Sequence, residues 1–89
     1  MSLKAKHILV QHKYEAEDIL KLLQKGQEFE SLAKKYSQCS SAKNGGDLGD
    51  LSGKKNVDSD FLETLESLKV DQISPITRTR FGYHLIKRY

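Results

Sequence analysis

"YSQCSSAKNGGDLGDL", residues 36–51, holds the only cysteine of the chain, Cys39, and three of its six glycines, Gly45, Gly46 and Gly49. Just upstream, Phe29, Leu32, Ala33 and Tyr36 fall at i, i+3, i+4 and i+7, which is one face of a helix, so Cys39 comes just past a helix end. Downstream, the glycines permit positive φ and tight turns, and Asp47 can accept hydrogen bonds from the amides of its own turn. The spacing is not GxxxxGK, which argues against a phosphate loop. A helix therefore hands over to a thiol, and the thiol to a glycine-rich turn leading into an extended segment.

The flanking segments are well patterned. "KAKHILVQ" (4–11) reads as a strand with Ile8 and Val10 on one face and His7 and Leu9 on the other. Both faces carry apolar residues, so an interior strand is expected. Ala16, Ile19, Leu20 and Leu23 mark an amphipathic helix over 14–25 that stops at Gly26. A further helix is expected to start at Asp58 or Ser59, either of which can cap it, with Phe61, Leu65 and Leu68 as its buried stripe. A strand near "ISPITR" (73–78) follows, and "YHLIKRY" (83–89) alternates, with His84 and Ile86 sharing one face. Both ends of the chain thus contribute to the sheet. There is no repeat, low-complexity tract or linker, so residues 1–89 are expected to form one domain.

Composition narrows the function classes. Fifteen Lys and Arg against twelve Asp and Glu leave +3, spread along the chain, which is no nucleic-acid stripe. No apolar run approaches the roughly 20 residues of a membrane span. A single cysteine excludes an internal disulfide and suits a reducing compartment, and Met1-Ser2-Leu3-Lys4 lacks a secretory pattern. A cytoplasmic setting is expected, although a domain excised from an exported protein would read the same way.

His7 and His84 each sit in an apolar strand, where a polar ring must find hydrogen-bond partners. The simplest arrangement makes them neighbours on adjacent strands, bonded to each other or to a hydroxyl, thiol or carbonyl. Spacing alone fits two satisfied core histidines equally well. His12, in "VQHKY", reads as an exposed loop residue.

Three segments taken together, "KHILV", "FESLAKKYSQCSSAKNGGDLGDL" and "SPITRTRFGYHLI", resemble the parvulins, small peptidyl-prolyl cis/trans isomerases. The resemblance spans nearly the whole chain. It implies an α+β fold of order β-α-α-α-β-α-β-β, a four-stranded antiparallel sheet surrounded by helices, with a short third helix over 40–43. It implies a site in which His7, Cys39, Thr79 and His84 form a hydrogen-bonded network, and an apolar proline pocket lined by Leu48, with Phe61 and Phe81 as candidate walls. No cofactor and no metal are implied. The substrates would be proline-containing segments of peptides or unfolded proteins, handled by a monomer.

Such a site has a definite task. Amide resonance opposes rotation about an X-Pro bond with a barrier of roughly 18–20 kcal/mol, yet no bond need be broken. Holding the proline ring in an apolar pocket and placing polar groups beside the twisting amide suffices, so a non-covalent role is expected for Cys39. Many family members carry Asp at that position. The chain departs from the family before Phe61: the usual glycine, glutamine, methionine, valine, proline is replaced by "SGKKNVDSDF" (52–61), one residue longer and without Met. Either Asn56 or Val57 takes the Met position. A weaker isomerase, or a chaperone module that binds proline segments with little turnover, is the alternative. Phosphate-directed parvulins carry several basic residues in a longer loop after the first strand; "QHKY" (11–14) is a poor clamp, so ordinary or basic X-Pro segments are expected. A zinc site from His7, Cys39 and His84 lacks any CxxC or HExxH spacing.

Overall fold

The computed structural model describes residues 2–89, and within them the sheet forms around the two segments that alternate most cleanly. Strand β1 (Lys4–Val10) pairs antiparallel with β4 (Gly82–Arg88) in the register His7 to Ile86 and Leu9 to His84. On its other side β1 pairs with β2 (Asp47–Asp50), while β3 (Thr77–Thr79) completes the outer edge of β4. The order is β2-β1-β4-β3, all antiparallel, so the chain's two ends form the centre of the sheet.

Helices α1 (Lys13–Gln24) and α2 (Phe29–Tyr36) cover one face. Ala16, Ile19, Phe29, Leu32 and Ala33 pack there against Ile8, Val10 and Leu85. The register makes the opposite face apolar as well: Ala5 and Ile86 meet Leu51, Phe61, Leu65 and Leu68 from the side of α3 (Ser59–Ser67). Leu65 and Ile86 are fully buried, each stabilising the fold by about 1.5–3 kcal/mol relative to exposure. The expected central β1 follows from this double coverage. A 3-10 turn over Ser40–Asn44 supplies the short helical element implied between α2 and β2. Among the described residues no helix is long and apolar enough to cross a membrane.

Local chemistry sets the boundaries. Helix α1 ends where Gly26 takes a φ of 97° and its N–H donates to Leu23 O. Asp58, not Ser59, caps α3, its Oδ1 accepting from the N–H groups of Asp60 and Phe61 at 2.9 and 3.2 Å. Leu68 lies one residue past that helix but is buried as expected. The strand read near 73–78 begins later, at Thr77. Pro75 has no N–H to give a ladder, and before it only a single bridge from Ile73 to Lys87 forms. Ser74 substitutes for that ladder, donating its N–H to Ile86 O at 2.8 Å and accepting the Ile86 N–H on its Oγ at 3.0 Å.

Gly46 has no substitute. His7 donates its N–H to Gly46 O at 2.9 Å, and a Cβ at Gly46, where φ is 84°, would stand 2.4 Å from His7 O. The glycine-rich turn can therefore lie directly against the backbone of His7, next to the site described below.

Candidate active site

Because Leu9 pairs with His84 and His7 with Ile86, the two histidines are diagonal neighbours on one face of the sheet. Their Nδ1 atoms are 3.0 Å apart, and His84 Nε2 lies 2.7 Å from Thr79 Oγ1. Thr79 Oγ1 also accepts the Phe81 N–H at 3.2 Å. Phe61, from the first turn of α3, stands edge-on to both rings, its centroid 5.5 Å from that of His7 and 5.3 Å from that of His84.

With both rings neutral, each shared hydrogen bond holds one proton, so the chain has two states. In one, the Thr79 hydroxyl donates to His84, His84 donates to His7, and His7 Nε2 carries a hydrogen. In the other the direction reverses and His7 Nε2 presents a bare lone pair. His7 Nε2 is buried without a partner among the described residues, and it is the end of this network.

Both rings are held neutral near pH 7. Burial, and then the neighbouring His84, push the His7 midpoint down to about 4. Burial also lowers His84, against an opposing pull from the carboxylate of Asp58. The folded pKa of His7 lies below its ordinary value of 6.5, so the unfolded chain binds more protons between these limits and stability rises with pH there. Between pH 7.5 and 5, unfolding free energy is expected to fall by about 2 kcal/mol from His7 alone. Denaturant midpoints across this range check it; a profile as steep in His7→Gln as in the wild type would show that His7 is not the group responsible.

Cys39 reaches the same site from the other side of β1. Its loop is stitched to that strand: Gln38 donates its N–H to Leu9 O at 2.8 Å, and Ser37 Oγ accepts the Leu9 N–H at 3.0 Å. Cys39, a free and half-buried thiol, then lines a pocket of about 370 Å³. The pocket brings together His7, Cys39, Leu48, Asn56, Val57, Phe61, Phe81 and His84. Thr79 lies behind His84 and does not line it. Of the two residues left open for the missing Met, Asn56 is exposed, while Val57 is half-buried and packs with the α3 core. Phe81, 53% exposed, forms the outer lip.

Leu9, Leu51 and Asp58 also line the pocket and were not foreseen there. For Leu9 the signal was available, since it shares a strand face with His7. Among the described residues no group of three His, Cys, Asp or Glu side chains converges to hold a metal ion.

Residues 4–89 match the family described as "Rotamase: PPIC-type PPIASE domain". The foldase protein PrsA of Bacillus subtilis is 44% identical over 86 residues, covering 97% of this chain and 30% of its own length. The crystal structure of PrsA from Bacillus subtilis superposes with a TM-score of 0.91 at 45% identity, covering 96% of this chain and 33% of that one. The parvulin of Nitrosopumilus maritimus, solved in solution, gives 0.83 at 39% identity, with 97% of this chain and 92% of that one covered. The chain thus spans about a third of the PrsA proteins and nearly all of the Nitrosopumilus one. The cytoplasmic setting expected from composition gains no support from this set, in which the same domain occurs both within longer foldases and nearly alone.

Proposed function

The chain belongs to the PPIC-type peptidyl-prolyl isomerase family, and from that membership we propose that its 89 residues act as one parvulin-type domain that turns X-Pro bonds without a covalent intermediate. The observation that carries this reading is an apolar pocket whose floor is a buried chain of hydrogen bonds ending at His7 Nε2. Leu48, Leu51, Val57 and Phe61 offer a dry seat for a proline ring, and Cys39 and the imidazoles lie beside it. With the ring held, rotation moves the carbonyl of the preceding residue across polar groups that are already oriented. Twisting the amide raises electron density on its nitrogen and lowers it on its oxygen, so groups fixed to suit the twisted form stabilise it selectively. The network can follow that change by reversing its two tautomeric states.

Phe81 and the exposed Asn56 leave the mouth open to an extended chain, which fits peptide segments and unfolded proteins as substrates. Helix α1 starts at Lys13, so the connection after β1 is too short to build a phosphate clamp, in line with ordinary or basic residues before proline. Foldase action of the kind named for PrsA is part of this proposal, because that name belongs to proteins about three times longer.

Exchange spectroscopy on a panel of X-Pro peptides tests the reading. Catalytic amounts of protein are expected to raise the cis/trans exchange rate well above its uncatalysed scale of tens to hundreds of seconds. Peptides that bind with no acceleration at any X would instead identify a proline-binding chaperone module.

A further inference from the structure

We propose that Asp58 is a positioning residue of this site: it starts α3 so that Phe61 stands edge-on to both imidazoles, and it sets the electrostatic field at His84 from the pocket wall. The sequence reads Asp58 as a helix cap and nothing more. In the folded chain one carboxylate oxygen accepts the N–H groups of Asp60 and of Phe61 itself. The backbone of the aromatic ring that both histidines lean on is thus tied to this one side chain. Losing the cap frees the first turn of α3, and Phe61 moves with it.

The other oxygen faces the opposite lip, 3.9 Å from Arg80 Nε beside Phe81, with the Asp58 side chain only 16% exposed. Arg80 is 74% exposed, so the pair is weak and leaves the carboxylate's field largely intact within the pocket. The titratable or charged groups lining the pocket with His84 are His7 from β1, Cys39 from the loop after α2, and Asp58; Arg80 lies beyond Asp58. Asp58 is the only carboxylate among them, and its charge opposes the effect of burial on His84. One side chain therefore carries two separable duties, geometry through the cap and field through the charge.

The effect on turnover rests on the isomerase reading; the geometric and electrostatic effects do not. The test compares wild type, Asp58→Ala and Asp58→Asn by ring contacts in nuclear Overhauser spectra, by titration of His84, and by exchange kinetics. Asn caps a helix about as well as Asp. Asp58→Asn is expected to keep the melting midpoint and the Phe61 contacts while the His84 midpoint moves down. Asp58→Ala is expected to weaken the Phe61 contacts to both imidazoles and to lower kcat about tenfold, with a much smaller change in KM. Unchanged Phe61 contacts in Asp58→Ala, or an unchanged His84 titration in Asp58→Asn, would overturn the assignment. A wild type that accelerates no exchange would sink the isomerase reading, while contacts and titration would still decide the role of Asp58.

Discussion

His84→Ala is expected to cost about 3–4 kcal/mol of stability and to remove most of the exchange activity, and His7→Ala to cost about half as much. The asymmetry follows from connectivity. His84 is the middle of the chain, bonded to His7 through Nδ1 and to Thr79 through Nε2, whereas His7 is an end with one free nitrogen. Deleting His84 leaves His7 Nδ1 without a partner and the Thr79 hydroxyl with only the Phe81 N–H, in residues 5% and 7% exposed. Each such loss costs about 1–3 kcal/mol, and the vacated ring also leaves a cavity under Phe61. Deleting His7 strands only one atom. Urea midpoints for both variants at pH 7.5, where the rings are neutral, check the order. Equal losses would mean that the two rings are independent core residues and not a directed network.

The same connectivity shows which parts of the site could be read in advance. The histidines announced themselves because a polar ring at an interior position of an apolar strand must have a partner, and both strands were legible from strict alternation. Their pairing needed only the adjacency of the two chain ends. Thr79 was different: it sits in a three-residue strand with no usable period, and only the resemblance to the parvulins pointed to it. The position of β3 was misjudged because "ISPITR" has the apolar content of a strand, while hydrogen bonding, not apolar content, decides where a ladder begins, and Pro75 cannot donate. Asp58 was seen in one role because local sequence reports local bonds; its place in the pocket depends on how α3 crosses the sheet. Leu51 was missed for the same reason, lying just beyond β2 with no pattern to mark the face it takes.

Replacing Cys39 by Asp is expected to leave a folded protein that retains at least about a tenth of wild-type exchange activity, whereas an obligatory nucleophile would lose roughly a thousandfold or more. A thiol that attacks a carbonyl needs a base to take its proton. His84 has both ring nitrogens engaged, with His7 and with Thr79, which leaves His7 Nε2 as the one available acceptor. That ring is a poor base, because burial and its neighbour hold its midpoint near 4. The pocket thus offers the thiol no effective base while keeping a polar side chain on its lining. An aspartate supplies polarity there by another route, and its charge should raise the midpoints of both imidazoles, moving the acid limb of the activity profile to higher pH. Cys39→Ser, which keeps a hydroxyl donor and acceptor, should also turn over. Exchange rates for the two variants, with peptide binding and melting measured separately, decide the matter. A folded Cys39→Asp protein that binds peptide but accelerates nothing would restore the thiol as the reacting group.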